Sequence, residues 1–123
     1  MNDADRGLLD LTPSSPGRMT VVAASADELA DAHPIAADRV STQRILKADG
    51  ARIMLLAFDT GQQLKEHSAP VPLLVQCVSG RLRFECDGET LELQPGSLVH
   101  VDARLPHAVF ALEASRLQLT LLD

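Results

Sequence analysis

The chain has 123 residues, 46% of them hydrophobic and 23% charged, which describes one globular domain able to bury about two-thirds of its unfolded surface. Its net charge is −6, it has no run of Lys or Arg, and it contains three Phe but neither Tyr nor Trp. Those counts argue against nucleic acid and against anionic membrane surfaces, which need cationic patches and, for single strands, exposed aromatics.

Taken in order, Met1–Thr20 carries Pro13-Ser14-Ser15-Pro16-Gly17 and reads as a loose tail, with Leu8, Leu9 and Leu11 able to pack on the body. It has no apolar signal core, and no apolar stretch reaches the ~20 residues of a membrane span, so a cytoplasmic location is expected. Val21–Ala23 reads as a short edge strand. Ser25-Ala-Asp-Glu28 is a capping box that opens a short helix from Ala26 to about Ala32, and His33-Pro34 closes it. Residues 1–39 therefore form a tail and short helix ahead of a β domain over residues 40–123.

From Val40 the texture is β. Val40–Lys47 predicts a strand, Asp49-Gly50 a tight turn, and Arg52–Phe58 a strand that is apolar on both faces and hence central or covered. Asp59-Thr60-Gly61 turns again. A two-residue hairpin at Ser79-Gly80 would pair Val78 with Arg81, Cys77 with Leu82, Val75 with Phe84 and Leu73 with Cys86. One face would then be apolar, and the other would carry Gln76, Arg81, Arg83 and Glu85. Asp87-Gly88 predicts a second hairpin that adds Leu91 and Leu93 to the apolar face. Agreement across both turns supports the facing, because a one-residue slip reverses every side chain. Ser97–Asp102, Val109–Glu113 and Arg116–Leu122 complete the set. Short strands at about 8–12-residue spacing predict an all-β sandwich or barrel.

Two histidines stand in distinctive frames. Gly61-x5-His67 is followed by Ala69, Leu73 and Gly80; Pro95-Gly96-Ser97 is followed by Ala103-Arg104-Leu105-Pro106-His107-Ala108 and Ala111. Over about Gln43 to Leu122 this resembles a small single-domain cupin of the RmlC-like kind, a jelly-roll double-stranded β-helix. The first frame resembles G-x5-H-x-H-x3-4-E-x6-G with Ala69 in place of His and Leu73 in place of Glu. The second resembles the looser cupin motif, with Ala111 where Asn is usual.

The resemblance implies that His67 and His107 approach each other at the barrel mouth. It also implies a pocket lined by His67, Leu73, Val75, Phe84, Val99, His107 and Val109. The family's usual metal site has three His and one Glu, and a catalytic metal needs about three protein ligands. A divalent transition metal on His67 and His107 would need a third ligand, for which His100, Gln76 and Glu66 are the candidates. His100 and Gln76 face away if Val99 and Val101 point inward, and Glu66 reads equally as a solvated carboxylate. Arg104 reads as a loop residue that could meet an anion, and His33 as the end of the helix. Cys77 and Cys86 read as small core residues that are reduced and unpaired.

Three functions fit this pattern: a non-catalytic module binding a small, mostly apolar molecule; a metal-dependent dioxygenase or isomerase; and a metal-free acid–base enzyme using His67 or His107. The last is the reading of the family's sugar epimerases, and the lack of Tyr weakens it. A homodimer is expected, because Arg52–Phe58, Leu74 and Val78 would leave an apolar patch on a lone barrel.

Overall fold

The structure is a computed structural model and describes residues 17–123. The expectations for Leu8, Leu9 and Leu11 lie outside the described residues. The elements run α1 (Ala26–Asp31), β1 (Ser41–Ala48), β2 (Ala51–Phe58), β3 (Gln63–His67), β4 (Leu73–Ser79), β5 (Leu82–Cys86), β6 (Glu89–Leu93), β7 (Leu98–Val101), β8 (His107–Ala111) and β9 (Ser115–Leu122). They form a five-stranded sheet, β1-β2-β9-β4-β7, facing a four-stranded sheet, β3-β8-β5-β6. All pairings are antiparallel. This is the jelly-roll architecture expected.

The core lies between the two inner faces. Leu73, Val75 and Cys77 from β4 meet Leu82 and Phe84 from β5, with Val109 from β8 and Leu117 from β9. All seven are at most 3% exposed. The polar side of the same strands points outward, where Arg81 pairs with Glu92 at 3.0 Å and Arg83 lies over the Phe110 ring at 4.6 Å.

The hairpin at Ser79-Gly80 is a correction. β4 pairs with β7 and β9, while β5 pairs with β6 and β8. The chain crosses from one sheet to the other at Gly80 (φ +80°), and the crossing is held by Ser115, whose Oγ accepts from Arg81 N at 2.9 Å. Leu73, Val75, Leu82 and Phe84 therefore meet across the sandwich and not along an edge. Their facing is nonetheless as expected, because both sheets bury their inner side. The Asp87-Gly88 hairpin is present, with Cys86 opposite Glu89 and positive φ at both turn residues, as a type I′ turn requires. Asp49-Gly50 likewise joins Ala48 to Ala51.

The second correction concerns the segment before the barrel. Val21–Ala23 is not a strand. Val22 and Ala23 pack with Leu29 of α1 on the outer face of the large sheet, against Ile45, Ile53, Leu55 and Val78. Ser25 caps α1 by accepting from Glu28 N at 3.1 Å. A bulge between Arg44 and Leu46 leaves Ile45 without a partner on β2, and it turns into this outer cluster. Leu55 is fully buried within one chain.

Candidate functional site

The inner row of the small sheet at one end of the barrel runs His67–His107–Cys86–Glu89, one residue from each of β3, β8, β5 and β6. Directly opposed residues on antiparallel strands project to the same face, so this is a polar strip on an otherwise apolar surface. His67 reaches it through a bulge. Leu64 opposes Val109 and His67 opposes His107, which sets Lys65 and Glu66 together against Ala108. Strict alternation from Leu64 would have pointed Glu66 inward and His67 outward; the extra residue reverses that.

The two imidazoles lie 4.5 Å apart between ring centroids at an interplanar angle of 62°. Each ring is pinned the same way. His67 Nδ1 lies 2.8 Å from the Lys65 carbonyl and His107 Nδ1 lies 3.0 Å from the Leu105 carbonyl. A carbonyl oxygen only accepts, so each neutral ring carries its proton on Nδ1 and leaves Nε2 as a lone pair. His67 is exposed. His107 is 3% exposed and stacks on Phe84 at 5.8 Å. Its Nε2 is buried with no hydrogen-bond partner in the protein. Burial holds the His107 pKa below its ordinary value, the Leu105 carbonyl works the other way, and His67 adds a smaller push downward.

Glu89 was not singled out in the sequence, and Cys86 was read there only as a small core residue. Burial raises the Cys86 thiol pKa, and the carboxylates of Asp87 and Glu89 raise it further. Cys86 is half-buried in this strip and not a core residue, whereas Cys77 is buried as expected. Both cysteines are free.

The expected pocket residues separate into two groups. Leu73, Val75 and Val109 are buried in the packed core. Phe84 and Val99 line an open cavity of ≈ 370 Å³ between the β5–β6 hairpin and β7, together with Cys86, Leu91, Val101 and Leu105. Leu91 is on the inner face as predicted but is 48% exposed, because it forms a wall of this opening.

The candidate third ligands are a correction. Gln76 lies on the outer face of the large sheet, opposite Gln118, in the groove beside α1. His100 alternates with the inward Val99 and Val101 and is itself exposed, with Nδ1 3.8 Å from Asp102 Oδ1. Glu66 points outward at the bulge and lines a surface groove with Glu85 and Pro106. No group of three or more His, Cys, Asp or Glu converges among the described residues. The strip itself cannot serve as one centre: four strands at about 4.8 Å spacing spread it over roughly 14 Å, against metal–ligand bonds of about 2 Å. With Ala69 and Leu73 at the remaining cupin ligand positions, the residues present do not fit the family's catalytic metal.

His33 carries more than a helix end. It is 4% exposed, its Nδ1 lies 2.9 Å from Gln43 Oε1, and its Nε2 lies 2.8 Å from the Ser41 carbonyl. Its own carbonyl accepts from Arg116 Nε at 3.1 Å. This histidine ties the helix segment to β1 and β9.

A jelly-roll barrel with a histidine pair at its mouth and a small side cavity defines a cupin-type domain. The chain belongs to the cupin domain family, whose model matches residues 54–122. No curated protein matches it. Among solved structures, it resembles a conserved protein of unknown function from Streptococcus pyogenes (27% identity, 73% of this chain and 79% of that one, TM-score 0.66). It also resembles a cupin superfamily protein from Desulfitobacterium hafniense (22%, 88% and 94%, TM-score 0.70). An RmlC-like cupin from Desulfovibrio desulfuricans is similar as well (22%, 68% and 82%, TM-score 0.63). The latter two bear on fold alone.

Proposed function

We propose that this cupin is a non-catalytic binding module whose ligand enters the cavity between the β5–β6 hairpin and β7. The observation that carries the reading is the buried, unpartnered Nε2 of His107, on a ring stacked against Phe84, which lines the cavity. A buried acceptor without a donor costs about 1–3 kcal/mol; His107 stands next to Phe84 and Cys86 of the cavity wall, and a ligand donor that reached its Nε2 would recover that cost. A cavity of ≈ 370 Å³ is at the small end of ligand pockets. No helix among the described residues is long and apolar enough to cross a membrane, and we assign the protein to the cytoplasm.

The competing reading is a metal-dependent dioxygenase or isomerase. Elemental analysis of protein purified without chelator or metal-affinity steps separates the two. The proposal expects metal far below one equivalent. Near-stoichiometric metal that disappears in His67→Ala would overturn it.

A further inference from the structure

We propose that the cavity between β5–β6 and β7 selects an organic ammonium ion with an apolar body. This rests on the reading of that cavity as a ligand site and names its ligand class. The floor is apolar: Phe84 and Leu91 from one sheet, Val99 and Val101 from the other. The rim is anionic: Asp87 and Glu89 at the hairpin tip and Asp102 at the end of β7. Neither Lys nor Arg is among the described residues lining it; the titratable groups beside the carboxylates are Cys86, next to Asp87 and Glu89, and His100, beside Asp102. Arg52 on β2 is engaged elsewhere, with Nε 3.2 Å from Asp123 Oδ2.

The register gives the charge a direction. Glu89 opposes Cys86, and Cys86 opposes His107. The Glu89 carboxylate thus belongs to the inner strip and not to the outer surface. The two histidines of that strip, which stand next to Cys86 and Phe84 of the cavity wall, also present acceptors, since both have their Nδ1 protons committed to backbone carbonyls. Carboxylates and imidazole lone pairs accept hydrogen bonds and donate none. A bound group must therefore supply donors, and a cation supplies them with favourable charge. The chain's net charge of −6 favours approach of the same class of ligand at low salt.

Three probes on one skeleton test this: 4-phenylbutylammonium, 4-phenylbutan-1-ol and 4-phenylbutanoate, each titrated at pH 7 and low salt into the full-length ¹⁵N-labelled chain. The proposal expects the ammonium probe to shift the amides of Leu91, Val99 and Val101 and to bind about five-fold tighter than the alcohol, the scale of an exposed charge contact. The carboxylate probe should bind more weakly than the alcohol. Glu89→Gln should weaken the ammonium probe about three-fold and leave the alcohol unchanged, and Asp102→Asn provides the same comparison on the other wall. If the alcohol matches the ammonium probe, or the carboxylate exceeds it, the ligand class is wrong while the cavity remains a binding site. If no probe shifts these amides at millimolar concentration, the binding-module reading falls, and the ligand class with it.

Discussion

At the scale of single residues, the histidine pair was visible in the sequence through its two frames, but its partners on the strip were not. Which residues share the strip with His107 depends on the register of β5 against β8 and of β6 against β5, and a pattern within one strand carries no information about that. The bulge at Lys65-Glu66 is equally hidden, and it decides whether His67 or Glu66 faces inward. His107 gives a pH prediction. Burial lowers its folded pKa, while the unfolded imidazole titrates near about 6.5. Between these values the unfolded chain holds the extra proton, so stability is complete above the unfolded value and is lost as pH falls toward the folded one. Urea unfolding between pH 7.5 and pH 5 should show this loss, and His107→Gln should flatten it; an unchanged profile in the variant would assign the loss elsewhere. Gly80 gives a second test. A Cβ there would overlap Ser115 Oγ and the Ala114 carbonyl and come within 2.7 Å of Ser115 Cα, at φ +80°. At Gly88 a Cβ meets nothing within 4 Å, at φ +74°. Gly88→Ala should cost about 1 kcal/mol, the penalty of the left-handed region, and Gly80→Ala at least about 2 kcal/mol more, since backbone must move. Equal midpoints in urea would contradict the crossing at Ser115.

At the scale of elements, turns and facing were readable while strand neighbours were not. Asp49-Gly50 and Asp87-Gly88 are hairpins because the strands on either side of each share a sheet. Ser79-Gly80 has similar turn chemistry but sends the chain to the opposite sheet, because both edges of β4 are occupied by β7 and β9. Turn residues specify a reversal, not the partner of the strand that follows. The same limit hid His33. Its place after α1 was evident, but its contacts come from β1 and β9, elements remote in sequence. His33→Ala removes a ring held between Gln43 and the Ser41 carbonyl and leaves a part-buried carbonyl without its donor, a cost of about 2 kcal/mol. It should also loosen the cover over Ile45 and Leu55. Binding of a hydrophobic dye at native pH should therefore rise together with the fall in melting temperature. A variant that melts early without binding dye would mean that α1 stays seated by its apolar contacts alone.

At the scale of the whole molecule, the outer face of β2 was expected to demand a second subunit. It does not: α1 and the residues before it cover Leu55 and Ile45 within the same chain. The sequence could not separate cover in cis from cover in trans, because both satisfy the same apolar pattern. What remains open lies at the far edge of the large sheet, on β7. Among the described strands β7 pairs only with β4, so its second edge leaves backbone donors and acceptors unpaired. Leu98 on that strand is 59% exposed and projects from the outer face, diagonal to the half-buried Leu74. One exposed leucine is ordinary, but one beside a free edge offers both an apolar contact and a ladder for a second copy, and a two-fold axis closes that pairing. The homodimer is therefore still the expected state, formed through β7 and not through β2. Light scattering at micromolar concentration should report twice the 13.2 kDa chain mass, and Leu98→Glu should return it to the single-chain value. Because Leu98 alternates with the inward Val99, the substitution leaves the cavity wall in place, and the ammonium probe should bind the monomeric variant as it binds the parent. A single-chain mass for the parent would mean that the shortness of β7 suffices to keep its edge from pairing.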